Sequence, residues 1–249
     1  MKLTGKVRAK NSPRMTAMAF VAVVAAGLSL FLLGASACQA QSRRALPDTG
    51  RYVSDAGQSF VLDSSGVRPL LRFERSAEIW VLRPTPAPRG DLIYRNDNGD
   101  QILRVTADGG MTLYTTTTPQ GSPVSRAGGA EPLRTPNLGP VQLFNLMARR
   151  SNLVSEAVGR LITIDLDGSQ SEALCVEALI VSTDAVIRMA RNPSTRSAIN
   201  RLRKISIVEG ARSSVTFARG ELRVIVDPSR GIAGRPSSAL VIRTVSGDR

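Results

Sequence analysis

The stretch Asp91–Tyr114, DLIYRNDNGDQILRVTADGGMTLY, decides how the first half of the chain folds. Turn residues separate its apolar runs at Asn98-Gly99 and Asp108-Gly109-Gly110. Asn-Gly between apolar runs is a strong hairpin signal, because both turn residues take positive φ. The stretch therefore predicts three antiparallel strands joined by tight turns, at 92–94, 102–106 and 111–114.

A weak internal repeat extends this pattern towards the N-terminus. Pro69–Phe73 is similar to Gln101–Val105, and Ile79–Leu82 and Met111–Tyr114 follow at the same spacing. Each copy predicts a three-stranded unit, and two copies are too few for a solenoid. Together with the run 59–62, residues 51–115 predict a β-meander that forms a small sandwich or an open barrel. We expect the prolines that follow the third strand to end its ladder, at positions 84, 86 and 88.

The second half of the chain alternates helical and extended patterns. A helix is predicted at 141–158, with Phe144 on its buried face and Gly159 at its end. A capping box at Ser169–Glu172 begins a helix that ends at Arg191. Asn192-Pro193 then predicts a third helix as far as about Lys204. Strands are expected at 161–166, 205–208, 215–217, 222–226 and 240–245.

The fold class is therefore α+β, and most strands of the second half are expected to be antiparallel. Residues 116–140 are rich in Pro, Gly, Ser and Thr, which indicates a linker. We expect a signal peptide or membrane anchor, a β-meander domain, this linker and a mixed α+β domain, at 1–40, 41–115, 116–140 and 141–249.

The N-terminus has the order of an export signal. Residues 1–16 carry cations and no acid, residues 17–35 are nearly all apolar, and small residues follow as far as Ala40. The apolar run is also long enough to cross a bilayer. Cleavage near Ala40, an uncleaved anchor and lipidation at Cys38 therefore stay open. In each case we expect an exported protein, periplasmic or anchored in the inner membrane with its C-terminal part outside the cytoplasm.

Charge and composition restrict the partners. The chain has 33 Lys and Arg against 20 Asp and Glu, a net charge of +13. Export and an aromatic content of 4% argue against nucleic acid as a partner. The densest cationic run is either a solvated face or a contact surface for an anionic partner. Its candidate residues are Arg188, Arg191, Arg196, Arg201, Arg203 and Lys204.

The composition also restricts the chemistry. The chain has no His, which excludes a Ser-His-Asp triad, a Cys-His dyad and an HExxH zinc site. The run Ile162–Ser169 resembles the first motif of haloacid-dehalogenase phosphatases. That resemblance implies Asp165 as a nucleophile, Asp167 as an acid/base and Mg²⁺ as the metal. A tight strand-to-helix turn explains the same residues.

Two further segments have candidate roles. Cys175 is predicted to be a buried helix residue. The segment Gly231–Ser238 is either an anion cradle or a structured loop between strands. We assign no catalytic, cofactor-binding or metal-ligating residue, and we expect no cofactor.

Five longer segments form a recognisable set of whole phrases: GQSFVLD, RPLLRF, APRGD, YRND and GRPSSA, at 57–63, 68–73, 87–91, 94–97 and 234–239. Together they resemble an uncharacterised family of exported bacterial envelope proteins that is classed as a domain of unknown function. The resemblance spans roughly residues 50–245 and implies no assigned activity.

These observations favour an exported cell-envelope protein that acts as a non-catalytic binding or interaction module. Its basic C-terminal lobe would contact an anionic envelope component, either membrane headgroups or a wall polymer, or another envelope protein. Two alternatives stay open. One is a His-free, carboxylate-based hydrolase of the Mg²⁺-dependent phosphatase type, which would use Asp165 and Asp167. The other is a periplasmic chaperone or assembly factor, which would need an exposed apolar groove.

Overall fold

The computed structural model describes residues 47–135, 138–168 and 171–247. The predicted signal or anchor segment at 1–40 and the capping residue Ser169 lie outside the described residues. From Pro47 onward the chain clusters as one compact unit. Among the described residues, no helix has the length and apolar character that a membrane span requires.

Nine strands form one antiparallel sheet in the first part of this unit. Their order across the sheet is β4-β3-β2-β1-β9-β8-β7-β6-β5. The strands are β1 (Gly50–Ser54), β2 (Ser59–Asp63), β3 (Leu70–Phe73), β4 (Trp80–Val81), β5 (Arg83–Pro86), β6 (Leu92–Arg95), β7 (Gln101–Val105), β8 (Met111–Leu113) and β9 (Ser122–Gly128).

The two edge strands of this sheet are consecutive in the chain. Only Leu82 separates β4 from β5, yet β4 pairs with β3 while β5 pairs with β6. The sheet must therefore curl until its edges meet, and Leu82 is fully buried where they do. The predicted β-meander is confirmed, as a single nearly closed sheet. The repeat is also visible in the packing, because Leu71 and Leu103 hold equivalent, fully buried positions.

Two expectations for this sheet are wrong. The prolines at 84 and 86 do not end the ladder, because β5 is an edge strand and Pro84 and Pro86 sit opposite Tyr94 and Leu92. An edge strand tolerates a missing N–H group when that side faces away from its partner. The predicted linker contains β9, which pairs with both β1 and β8. Since β9 is mostly exposed, backbone hydrogen bonds hold it in the sheet, and it lacks the apolar alternation that would reveal it.

The remaining elements form a four-stranded sheet with helices, which confirms the α+β class. The strand order is β10-β11-β13-β12. The elements are α1 (Pro140–Val158), β10 (Thr163–Asp167), α2 (Glu172–Arg191), α3 (Pro193–Arg196), β11 (Lys204–Glu209), β12 (Ser214–Ala218), β13 (Glu221–Val226) and α4 (Ser238–Ser246).

The expectation of a mostly antiparallel second sheet is wrong. β10 and β11 are parallel, as are β11 and β13, and only β12 and β13 are antiparallel. The reason for the first parallel pair is that α2 lies between β10 and β11 in the sequence and returns the chain to the end of the sheet where β10 began. Strands joined by such a helical crossover run in the same direction.

Three predictions for residues that the structure places in or near helices also need correction. Residues 240–245 form part of α4 rather than a strand, because the Ser237 side chain accepts a hydrogen bond from the Leu240 N–H and caps a helix. The helix after Asn192 is short, with α3 followed by the 3₁₀ turn Ser197–Ile199. Phe144 is 71% exposed instead of buried on α1. The predicted ends of α1 and α2 are confirmed, and Gly159 has φ +79°.

Candidate binding cleft and the junction beside it

Arg235 lies at a junction where the segment before α4 meets the nine-stranded sheet. The residue is only 5% exposed, although its side chain ends in a guanidinium group with five N–H donors. Its guanidinium donates to the carbonyl oxygen of Ile79, which precedes β4, and to that of Pro236 at 3.2 Å. Two carboxylates face it, with Glu78 at 3.8 Å and Glu177 of α2 at 3.6 Å. Arg235 therefore links the segment before β4 of the nine-stranded sheet to the long helix α2.

Hydrogen bonds from the start of α4 complete this junction. The Ser238 N–H and hydroxyl donate to the two carboxylate oxygens of Glu78, at 2.8 Å and 2.6 Å. The Ser237 N–H donates to Asp97 Oδ2 at 2.7 Å. Ser237 is the N-cap of α4, a position that Ser commonly takes, and here Ser237 and Ser238 also donate to carboxylates that are distant in sequence. The segment Gly231–Ser238, a candidate loop in the sequence, is thus a structural connection between the two parts of the fold.

Some buried polar atoms of the junction have no hydrogen-bond partner. Within the described ranges, Glu177 Oε2, Arg235 Nε and Asp97 Oδ1 are buried without a hydrogen-bond partner. Burial raises the pKa of Glu177, and the nearby charge of Arg235 opposes that rise. The negative charge of Glu78 raises the pKa of Glu177 further. The stability of the junction therefore depends on Arg235 balancing two buried acids.

A cleft of about 850 Å³ opens on one side of this junction. Its volume is within the range of ligand-binding pockets. The loops that follow β1, β3, β6 and β8 contribute most of its wall, and α2 contributes Arg188. The lining residues are Gly57, Gln58, Ser59, Phe73, Glu74, Arg75, Ser76, Glu78, Trp80, Asp100, Gln101, Ile102, Tyr114, Thr115, Thr116, Thr117, Pro119 and Arg188.

Aromatic rings line part of the cleft. Phe73 and Trp80 meet edge to face with their ring centroids 6.4 Å apart, and Tyr114 also lines the cleft. Trp80 is the only tryptophan of the chain. These rings present a large rigid apolar area, and the Trp N–H group adds a polar contact. The sequence did not predict this grouping, because nothing local indicates that 73, 80 and 114 line one cleft.

The acidic side chains of the cleft are held by other residues. Both oxygens of Glu78 accept hydrogen bonds from Ser238, and Glu74 forms an ion pair with Arg51 at 3.3 Å. Asp100 Oδ2 accepts hydrogen bonds from the side-chain amides of Asn96 and Asn98, at 2.9 Å and 3.0 Å. Each acidic side chain of the cleft therefore already has a partner in the protein.

Neutral polar groups complete the wall. Gln58 donates from its side-chain amide to Thr117 Oγ1 at 3.1 Å. The amide oxygen of Gln58 is buried and has no partner among the described residues. An unpaired buried acceptor costs free energy, so a donor group on a bound ligand would stabilise it.

A second, narrower cavity lies beside the first, and Trp80 lines both. Its wall combines residues from the sheet with the end of the 3₁₀ turn Pro228–Gly234. The lining residues are Arg68, Trp80, Val81, Arg83, Asn96, Asp97, Ala233, Arg235 and Ser237.

The predicted cationic contact residues do not form one group around the cleft. Arg188 lines the cleft, whereas Lys204 forms an ion pair with Asp165 at 2.5 Å. The remaining members of the run are exposed at the end of α2, in α3 or in the segment before β11; these are Arg191, Arg196, Arg201 and Arg203.

The candidate phosphatase residues lie elsewhere. Asp165 and Asp167 are exposed on the same face of β10, an edge strand of the four-stranded sheet. Lys204 already pairs with Asp165, and no group of three or more Cys, Asp or Glu side chains in the described ranges is placed to hold a metal ion. Cys175 is fully buried, and burial raises its pKa to about 11, so its thiol is protonated at neutral pH.

Fold and cleft together define an α+β protein in which a nearly closed antiparallel sheet and a helical lobe enclose a polar and aromatic cleft. The chain belongs to the family defined by the domain of unknown function DUF4908, whose model matches residues 32–245. This match confirms the family resemblance seen in the sequence. Searches of the curated proteins and of the solved structures found no match to the chain.

Proposed function

We propose that this protein is a non-catalytic binding module of the cell envelope, and that its cleft holds a segment of an uncharged, hydroxyl-rich polymer such as a wall glycan. The observation that carries the proposal is the cleft of about 850 Å³ with Phe73, Trp80 and Tyr114 on its wall. The cell-envelope part rests on the signal-like order of residues 1–40.

The apolar part of the cleft supports a ligand with flat C–H faces. A sugar ring offers such faces above and below its plane, and aromatic side chains pack against them with little loss of conformational entropy. Ile102 and Pro119 extend the apolar wall around the rings. A polymer segment of two or three rings would fit a space of this volume.

The polar part of the cleft supports hydroxyl groups on that ligand. Gln58, Gln101 and Thr115–Thr117 offer amide and hydroxyl groups that both donate and accept hydrogen bonds. The buried amide oxygen of Gln58 is an acceptor that a ligand hydroxyl would satisfy. Because a site built to bond hydroxyl groups discriminates strongly against ligands that lack them, this wall would also provide specificity.

The charges of the cleft support an uncharged ligand and binding without catalysis. Three acids and two arginines line the cleft, so it carries no strong excess of either sign. Glu78, Glu74 and Asp100 are each engaged by groups of the protein. Because each of these carboxylates already has a partner in the protein, they favour a role in binding.

Trp80 fluorescence provides the test, because the chain has no other tryptophan. Full-length protein would be titrated with soluble oligomers of N-acetylglucosamine at low and high salt. We expect a saturable change in Trp80 emission that hardly depends on salt. Tyr114→Ala should weaken binding about tenfold, which is 1.4 kcal/mol.

Phe144→Ala is the matched control, since Phe144 is an exposed aromatic residue of α1 outside the cleft. It should bind the oligomers like the unchanged protein. The proposal fails if no oligomer changes the emission saturably, or if Phe144→Ala and Tyr114→Ala weaken binding equally.

A further inference from the structure

One buried arginine faces two buried carboxyl groups at the junction. The side chains of Arg235, Glu78 and Glu177 are 2%, 7% and 4% exposed. If all three were ionised, negative charge would be in excess at a place that water does not reach. An uncompensated buried charge is costly, so two carboxyl groups that share one cation favour the uptake of a proton. The contacts of the two groups indicate which of them binds it.

Glu78 is held in its charged form. Its Oε1 accepts the Ser238 N–H at 2.8 Å, and its Oε2 accepts the Ser238 hydroxyl at 2.6 Å. Hydrogen bonds donated to a carboxylate stabilise the ionised form. Glu177 lacks this support, because its Oε2 is buried and has no hydrogen-bond partner among the described residues.

Arg235 does not form a close ion pair with Glu177. Its Nε lies 3.6 Å from Glu177 Oε2, whereas a charge-assisted hydrogen bond would measure about 2.7–2.9 Å. The guanidinium instead donates to the carbonyl oxygens of Ile79 and Pro236. Glu177 is therefore the carboxyl group of the junction that binds a proton more readily.

The charged groups around Glu177 come from three elements. Arg235 precedes α4, Glu78 precedes β4, and the exposed Arg72 belongs to β3. Burial raises the pKa of Glu177, the two arginines oppose that rise, and the negative charge of Glu78 adds to it. Because the pKa is raised overall, the folded protein binds this proton more tightly than the unfolded chain does. The chain has no His, the side chain that most often responds to pH near neutrality.

We propose that protonation of Glu177 is a pH-sensitive switch that holds the wall of the cleft in place. Glu78 and Trp80 belong to that wall, and Arg235 bonds the carbonyl oxygen of Ile79 between them. While Glu177 is protonated, Arg235 and Glu78 balance each other. When Glu177 loses its proton as the pH rises, a second buried negative charge competes for Arg235 and loosens this part of the wall. The effect on ligand binding rests on the proposed function, whereas the effect on the wall does not.

The first measurement needs no ligand, because Trp80 is the only tryptophan and lies in the wall. Acrylamide quenching of its fluorescence would be followed in the full-length protein from pH 4 to pH 9. We expect quenching to increase with pH, with a midpoint above about 4.3, where an exposed glutamate titrates. Glu177→Gln should keep the weak quenching at every pH, because an amide stays neutral. Glu156→Gln is the control, since it removes an exposed carboxyl group of α1, and it should behave like the unchanged protein.

Urea denaturation measures the size of the effect. A raised pKa contributes stability below its unfolded value, and that contribution is lost as the pH rises through the folded value. The unfolding equilibrium constants of Glu177→Gln and the unchanged protein should therefore be nearly equal at pH 4. At pH 8 the constant of the variant should be about tenfold lower, which corresponds to one pKa unit. The switch is overturned if quenching of the unchanged protein does not depend on pH, or if Glu177→Gln shows the same dependence.

Titration with oligomers of N-acetylglucosamine then tests the link to the ligand. The unchanged protein should bind them more tightly at pH 5 than at pH 8, by about fivefold or 1 kcal/mol. Glu177→Gln should bind them equally at both. Equal binding by the unchanged protein at both pH values would overturn control of the cleft by Glu177. If no oligomer binds while quenching still depends on Glu177, the glycan proposal fails and the switch is supported.

Discussion

Replacing Arg235 by Met should remove about 4 kcal/mol from the free energy of unfolding at pH 7.5. The Arg235 side chain is 2% exposed, and those of Glu78 and Glu177 are 7% and 4% exposed. Met keeps much of the volume but leaves both carboxylates without a counter-charge. Breaking a buried ion pair in this way costs about 3–5 kcal/mol. This is a large fraction of the roughly 5–15 kcal/mol that stabilises a typical domain.

The cost of Arg235→Met should also depend on pH. Burial raises the pKa of Glu177 in the folded protein, so the folded state holds that proton more tightly than the unfolded state. A raised pKa contributes stability below the unfolded value, and that contribution is lost as pH rises through the folded value. Arg235 lowers the pKa of Glu177, so its removal raises this pKa further. The variant should therefore lose less stability at pH 4 than at pH 7.5.

Urea denaturation followed by Trp80 fluorescence, at both pH values, measures the effect. Arg196→Met is the control and should change the free energy of unfolding by less than about 0.5 kcal/mol, because Arg196 is exposed. Adding Glu177→Gln to Arg235→Met should restore part of the loss, since an amide needs no counter-charge. A cost below about 1 kcal/mol at pH 7.5, an equal cost at pH 4, or no rescue by Glu177→Gln would refute the reasoning.

Three further predictions concern single positions. Gly234→Ala should destabilise the protein by about 1–3 kcal/mol, because a Cβ there would lie 1.9 Å from the carbonyl oxygen of Asp227. Gly129→Ala is the control and should leave stability unchanged, because the space around Gly129 is open. Thermal unfolding of the two variants compares their stabilities. Asp165→Asn should cost less than about 1 kcal/mol in urea denaturation, since its ion pair with Lys204 is exposed; a larger loss would show that the pair is structural. Cys175 should resist iodoacetamide at pH 8 in the folded protein and react once urea unfolds it, because burial raises its pKa to about 11. Mass spectrometry of the peptide that contains Cys175 measures the alkylation. Rapid alkylation of the folded protein would contradict this prediction.

The parts of the fold that could be predicted are those specified by local chemistry. The turns at Asn98-Gly99 and Asp108-Gly109 are hairpin turns in the structure, and Gly99 and Gly109 take φ +90° and +92°. The expectation of positive φ at both turn residues is wrong for Asn98 and Asp108, because only the glycine of each pair takes it. The side chain of Asn192 accepts the Ser194 N–H as the sequence predicts. In each case a few adjacent residues determine the backbone conformation, and they do so in any fold.

The errors arose where a distant contact or a single cap outweighed local propensity. Residues 240–245 are rich in β-branched and apolar side chains, which favour a strand. Their helix forms because Ser237 caps it and because Val241 and Val245 are both buried one turn apart. Strand β9 shows the converse case, since its sequence predicts a loop while β1 and β8 supply hydrogen bonds on both sides.

The candidate sites could not be predicted because they depend on long-range topology. Ser238 contacts Glu78 across 160 residues of sequence, and Arg235 contacts Ile79 across 156. The haloacid-dehalogenase-like motif was visible in the sequence for the opposite reason, because all its residues are adjacent. Of the predicted cationic residues, Arg188 lines the cleft, and the others stay a predicted contact surface.

The junction at Arg235 connects stability to the proposed binding cleft. Glu78 is a wall residue of the cleft, and both of its carboxylate oxygens accept hydrogen bonds from Ser238. A variant that loosens the segment Arg235–Ser238 should therefore also weaken glycan binding, whereas Tyr114→Ala acts on the cleft wall alone. If Arg235→Met lowered stability without weakening glycan binding, the junction would hold the two lobes together without positioning the wall of the cleft.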